Sequence, residues 1–64
     1  MPKRYSSAEL IKIVEKDGWV LMRIKGSHHH YHHPEKPGIV TINHPEKTTK
    51  PGTAGNILRQ AGLK

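Results

Sequence analysis

Cysteine is absent from this sequence, and acidic residues are scarce, with five among 64 positions. Without cysteine, neither a disulfide framework nor a cysteine-bound zinc ion can reinforce the fold. A chain of this length hides only about 60% of the surface that it exposes when unfolded, so its core must be thin. We therefore expect a single small domain, residues 1–64, that is stabilised by side-chain packing and uses no cofactor.

Long hydrophobic runs are missing as well. No apolar segment approaches the roughly 18 residues that a transmembrane helix needs. The N-terminal segment MPKRYSSAELIK also lacks the apolar stretch of a signal peptide. We therefore expect no membrane association and a cytoplasmic location.

The scarcity of acidic residues leaves an excess of positive charge. Eleven Lys and Arg against five Asp and Glu give a net charge of +6 with every histidine neutral, and six histidines add to it in acid. A polyanion such as nucleic acid is the natural partner of such a surface. Solubility alone is the other explanation of a basic composition.

The first predicted element is a helix over Ser7–Lys16. The segment SSAEL places Ser6 three residues before Glu9, which is the spacing of a capping box. Apolar residues then recur at helical spacing between Leu10 and Val14. This pattern indicates an amphipathic helix that covers a core.

Three strands are predicted to follow. WVLMRIK alternates so that one face carries Val20, Met22 and Ile24 and the other carries Trp19, Leu21, Arg23 and Lys25. Gly26 and Ser27 form a turn, and residues 28–33 return as the second strand. After the turn PEKPG, the β-branched segment IVTIN predicts a third strand over residues 39–43.

The last element is a short helix, TAGNILRQAGLK, with Thr53 as its expected N-cap and Gly62 as its stop. The order of elements predicts an α+β fold, α-β-β-β-α, in which a three-stranded antiparallel sheet carries both helices on one face. The other face of the sheet is then open to a ligand.

The tetrapeptide HPEK occurs twice, at residues 33–36 and 44–47. The offset is too short for a solenoid repeat. We interpret both copies as the same strand-ending device, because proline interrupts a β-ladder and charged residues face water.

The stretch GSHHHYHHP holds five histidines. Its central position and its interruption by Tyr31 argue against a purification tag. One interpretation is a metal site on the face formed by His28, His30 and His32. A second is an exposed polar strand that carries out no chemistry.

A third interpretation is catalysis on RNA. Cleavage by the 2′-hydroxyl needs a base to take its proton and an acid to protonate the leaving 5′-oxygen, and histidine suits both roles near neutral pH. Positive charge from Arg23, Lys25 and Lys36 would stabilise the phosphate without a metal ion. The composition permits all three interpretations.

The chain resembles the HicA toxins, the small mRNA interferases of type II toxin–antitoxin modules. The resemblance lies in SSAELIKIVEKDGWVLMRIKGSHHHYHHP and PGTAGNILRQAGL, and it covers nearly the whole chain. It implies a double-stranded-RNA-binding-like fold and a metal-independent endoribonuclease that cleaves mRNA and arrests translation. It also implies a cognate HicB-type antitoxin that covers the active site.

The resemblance further implies which histidine reacts. The family's catalytic histidine follows Gly-Ser or Gly-Gly, which maps onto His28, the favoured candidate. Some members place it one position later, after an Asn, which maps onto His29. The residues expected to bind RNA are Arg23, Lys25, Gly26, Ser27 and Lys36.

The sequence is also compatible with two other functions. The same fold and charge would serve a non-catalytic RNA-binding module, which binds RNA and leaves it intact. A histidine face that holds a metal ion is the less favoured alternative.

Overall fold

The computed structural model describes residues 4–64. The order of elements is α1 (Ser7–Lys16), β1 (Val20–Lys25), β2 (His28–His32), β3 (Val40–Asn43) and α2 (Pro51–Gln60). The strands form one antiparallel sheet in the order β1-β2-β3. The predicted α+β arrangement is confirmed.

One apolar cluster forms the core and joins both helices to one face of the sheet. Its buried members are Leu10, Val14, Trp19, Tyr31, Val40, Ile42, Ala54, Ile57 and Ala61. Tyr31 and Trp19, the largest side chains of this cluster, are each only 2% exposed. The opposite face of the sheet carries neither helix.

The capping box at the start of α1 is present as predicted. The backbone N–H of Glu9 donates to Ser6 Oγ at 3.1 Å, and the N–H of Ser6 donates to Glu9 Oε1 at 3.0 Å. The two side chains thus satisfy N–H groups that lack a partner within the helix.

The predicted alternation along β1 is wrong. The register shifts between Leu21 and Arg23, so that Leu21 pairs with Tyr31 and Arg23 pairs with His30. An extra residue in one strand moves every later side chain to the other face. Every residue of β1 is exposed, so no single face of this strand belongs to the core.

The second helix begins before the predicted Thr53 cap. It starts at Pro51, with Lys50 as an N-cap residue whose side chain makes no capping hydrogen bond. Proline suits the first position of a helix because the N–H that it lacks would have no helical partner there. The second and third strands are each one residue shorter than predicted.

Candidate functional site

The turn between β1 and β2 depends on a glycine. Gly26 has φ +60°, a left-handed conformation that side chains with a Cβ adopt at a cost. A Cβ at this position would meet nothing within 4 Å, so the backbone conformation and not the space requires glycine. The turn reverses the chain and starts β2 directly at His28.

Several segments meet at this end of the sheet. The N–H of His44, just after β3, donates to the Ser27 carbonyl at 2.8 Å, and the N–H of Ser7 donates to the Glu46 carbonyl at 2.8 Å. A bridge between Tyr5 and Thr49 sets the starts of the two helices side by side. We call this part the Gly26 end; it comprises residues 5–7, 26–29 and 43–50.

Although adjacent in sequence, His28 and His29 lie on opposite faces of the sheet. His28 pairs with Lys25 on β1 and Asn43 on β3, whereas His29 pairs with Ile24 and Ile42. Directly paired residues share a face, and Ile42 is part of the core. His28 therefore lies on the face without helices, and His29 lies on the helix face at its margin.

The face without helices brings three of the predicted site residues, His28, Arg23 and Lys25, next to the turn. His30 pairs with Arg23 and stacks on His28, with ring centroids 6.4 Å apart and planes 17° apart. The Nδ1 atom of His30 is hydrogen-bonded to Thr41 Oγ1 at 2.9 Å. Together with Lys25, which pairs with His28, this surface offers imidazoles and cations side by side.

His29 has a different environment. Its Nδ1 lies 3.3 Å from the Ser27 carbonyl oxygen. Because a carbonyl only accepts, Nδ1 carries the hydrogen and Nε2 is the unprotonated nitrogen of the neutral ring. The ring meets that of His44 edge to face, with centroids 5.2 Å apart and planes at 90°.

His44 is held by a buried serine. Ser7, which is 1% exposed, places its Oγ 2.7 Å from His44 Nδ1. The same Oγ accepts the N–H of Glu46 at 2.8 Å and donates to the Glu46 carbonyl at 3.1 Å. The single Ser7 hydroxyl hydrogen can lie toward the Glu46 carbonyl or toward His44 Nδ1, so the direction of the Ser7–His44 hydrogen bond follows the tautomer of the ring.

Lys36 is not part of this group. Its ammonium is ion-paired with the Asp17 carboxylate and donates to the Ala61 carbonyl at 3.0 Å, at the other end of the sheet. The hydrogen bond from Lys36 holds the pKa of Asp17 below its ordinary value. The structure therefore separates Lys36 from the other residues that were expected to bind RNA.

The two HPEK copies have different partners. His33 Nδ1 accepts the N–H groups of Glu35 and Lys36, and its Nε2 donates to the Asp17 carbonyl at 2.8 Å. This ring ties the turn after β2 to the end of α1, which is a structural role. In the second copy, His44 contacts Ser7 and His29 at the Gly26 end.

Sequence reasoning missed two members of the site, His44 and Ser7. They are 37 residues apart, so no local motif joins them. The repeated HPEK was the available signal, because it drew attention to His44. Two more lysines, Lys47 and Lys50, also belong to the Gly26 end and add positive charge there.

The described residues give no support to the metal interpretation. Within residues 4–64, no group of three or more His, Cys, Asp and Glu side chains is arranged to hold a metal ion. In the same part of the chain, no helix combines the length and the apolar character needed to cross a membrane.

These features define a class of protein: a small basic α+β domain whose sheet has one face without helices, with histidines gathered at one end. The family model described as HicA toxin of bacterial toxin-antitoxin matches residues 7–63. The chain therefore belongs to the HicA toxin family. No curated protein matches it.

Proposed function

We propose that this toxin is a metal-independent endoribonuclease that cleaves mRNA in the cytoplasm and so arrests translation. The observation that carries the proposal is the Gly26 end, where three imidazoles, His28, His29 and His44, lie beside cationic side chains. A ribonuclease of this kind needs two proton carriers and positive charge at one phosphate.

Histidine can serve as either proton carrier near neutral pH. A neutral imidazole takes the proton of the RNA 2′-hydroxyl as its oxygen attacks phosphorus. A protonated imidazole gives a proton to the 5′-oxygen as the bond between phosphorus and that oxygen breaks. In this proposal His28 or His29 supplies one of the two rings. Because these two histidines lie on opposite faces of the sheet, substituting each separately shows which face carries the reaction.

RNA binding is assigned to cations close to the turn. Arg23 and Lys25 lie on the face of His28, and the Gly26–Ser27 backbone is exposed between them and the histidines. Arginine and lysine neutralise phosphates without reading sequence. Lys36 is left out of this assignment because its ammonium is engaged at the opposite end.

A cognate antitoxin of the HicB type is the proposed protein partner. The edge strand β1 exposes its apolar residues, with Ile24 53% and Met22 46% exposed, next to Arg23 and Lys25. Apolar area flanked by cations suits a partner surface that is apolar with an acidic rim. Association with the antitoxin is expected to slow as salt is raised, which stopped-flow mixing at several salt concentrations measures.

The proposal is tested by incubating the purified protein with a mixed-sequence mRNA in excess EDTA. We expect cleavage in EDTA, and we expect the double substitution His28→Ala and His29→Ala to abolish it. His32→Ala, which removes an exposed histidine at the other end of β2, is the matched control and should cleave as the wild type does.

The alternative function is a non-catalytic RNA-binding module, which the basic face without helices also favours. Such a module would shift RNA in a gel and leave it intact. Intact RNA after incubation with folded wild-type protein would therefore overturn the ribonuclease proposal and support the binding module.

A further inference from the structure

We infer that His29 and His44 form the proton-transfer pair of the ribonuclease, and that Ser7 is a positioning residue that acts through His44. The inference rests on the proposed function. It assigns roles to two residues that the sequence did not single out, and it selects His29 over His28.

The first argument is orientation. The Nδ1 atom of each ring is hydrogen-bonded to a fixed oxygen: the Ser27 carbonyl for His29 and the Ser7 hydroxyl for His44. In the pair that we infer, Nδ1 of each ring is the donor. Both rings are thereby held in the tautomer whose Nε2 can accept a proton. A catalytic imidazole is commonly oriented in this way by a third group.

The second argument is proximity. The ring centroids of His29 and His44 are 5.2 Å apart at a right angle, so the two rings can reach oxygens on the same phosphate. His28, by contrast, stacks on His30 on the other face. The His28–His30 pair lies among Arg23 and Lys25, which suits the attraction of the RNA backbone.

The third argument is the shape of the surface beside His44. A cavity opens there between the first turn of α1, residues 6–8, and the segment of residues 44–47. Its walls are mostly apolar, and Glu46 and Lys47 are the charged residues that line it. A largely apolar cavity with a few polar groups at its edge is the usual form of a site for a small planar or ring-shaped group. A nucleotide next to the scissile phosphate is the ligand that we assign to it.

Two sets of hydrogen bonds made by the Ser7 hydroxyl account for its burial. Its hydroxyl both closes the start of α1 onto Glu46 and is hydrogen-bonded to His44 Nδ1, so the ring cannot turn without breaking that hydrogen bond. Ser7 touches neither the substrate nor the reacting atoms in this scheme. It fixes the direction in which His44 Nε2 points.

The chemical step balances with these two rings alone. One neutral Nε2 takes the proton of the 2′-hydroxyl, and the new bond joins O2′ to phosphorus. The bond from phosphorus to O5′ breaks, and the departing oxygen receives the proton held on Nε2 of the other ring. The products are a 2′,3′-cyclic phosphate and a 5′-hydroxyl end, and the two rings have exchanged protonation states.

His44→Asn is the decisive variant. The asparagine amide can still donate to Ser7 from near the Nδ1 position, but it cannot carry a proton to or from RNA. We expect cleavage in EDTA to fall about 100-fold or more, as for loss of a general acid or base, with unchanged affinity for RNA. His29→Asn should behave alike, whereas His32→Asn, the control, should cleave at the wild-type rate.

The dependence of the cleavage rate on pH provides a second readout. Wild-type protein should give a bell-shaped profile with one arm from each ring, and either variant should lose one arm. A merely structural role for His44 would lower the rate without changing the shape of the profile.

Ser7→Ala tests the positioning role. We expect kcat to fall about 10- to 100-fold because the ring is no longer held in place, with little change in KM. Long-range ¹H–¹⁵N NMR should show a protonated Nδ1 at His44 in the wild type and a mixture of tautomers in Ser7→Ala. Circular dichroism confirms that the compared variants are folded.

The outcomes separate the two proposals. If wild-type protein leaves RNA intact, the ribonuclease itself is excluded and the pair with it. If the wild type cleaves and folded His44→Asn cleaves equally well, the ribonuclease stands and the assignment to His29 and His44 is wrong. If His28→Ala alone abolishes cleavage while His29→Asn does not, the reacting ring lies on the other face and the inference is likewise overturned.

Discussion

Lys36 and Asp17 form an ion pair that ties the turn after β2 to the end of α1, and the same ammonium donates to the Ala61 carbonyl just after α2. A cation near the C-terminal end of a helix is favourable because it meets the negative end of the helix dipole. This residue was expected to bind RNA, but its contacts fasten both helix ends to the sheet.

We predict that Asp17→Asn lowers the free energy of unfolding at pH 7 and that the difference from wild type disappears in acid. The hydrogen bond from Lys36 lowers the pKa of Asp17 below its ordinary 3.8. A lowered folded-state pKa gives stability that is present above the unfolded pKa and lost as pH falls through the folded one. Urea unfolding between pH 7 and pH 2 measures the difference, with Glu35→Gln as the control at the same end.

An unfolding difference between wild type and Asp17→Asn that stayed constant down to pH 2 would contradict this account. The side chain would then act through packing, which does not titrate. The exposed Glu35 has no such pairing with Lys36 in the structure, so its amide variant should follow the wild type across the whole pH range.

We predict a sharp contrast between two isoleucines that both pair with His29. Ile42 is 1% exposed and Ile24 is 53% exposed. Ile42→Ala should therefore destabilise the protein by about 2–5 kcal/mol, through lost burial and a cavity. Ile24→Ala should change stability by less than about 0.5 kcal/mol, as a surface substitution does.

Chemical denaturation of both isoleucine variants is the measurement. Equal losses of stability would mean that β1 is covered in solution, for instance by a second copy of the chain. Analytical ultracentrifugation would then show that copy directly.

We predict that RNA binding becomes less dependent on salt when cations on the face of His28 are removed. Each phosphate contact adds about one unit to the slope of log K against log salt concentration. Arg23→Gln and Lys25→Gln should each reduce the slope by about one, and both should weaken binding to all RNA sequences alike. Fluorescence anisotropy with the His28→Ala/His29→Ala protein, which is expected not to cleave, measures the slope.

Lys12→Gln is the control for the salt experiment. This exposed residue lies in the middle of α1, away from the Gly26 end. If Lys12→Gln lowered the slope as much as Lys25→Gln, the binding would depend on net charge and not on the face of His28.

The site itself could be predicted only in part. The turn glycine and the histidines of GSHHH stand together in sequence, and strand pairing brings Arg23 and Lys25 next to them. The bulge in β1 could not be read from the alternation of VLMRIK, because an extra residue is decided by pairing with the neighbouring strand. The ion pair of Lys36 could not be predicted for a similar reason, since its partner Asp17 is 19 positions away.

The sequence by itself determined the order of elements, because helix caps, apolar periods, β-branched runs and turn glycines act over a few neighbouring residues. It also determined the family. Only the tertiary structure decided which imidazoles meet. His28 and His29 lie on different faces because successive residues of a strand point to opposite sides of the sheet. His29 contacts His44 because β3 ends beside the start of β2 and because the buried Ser7 holds the His44 ring.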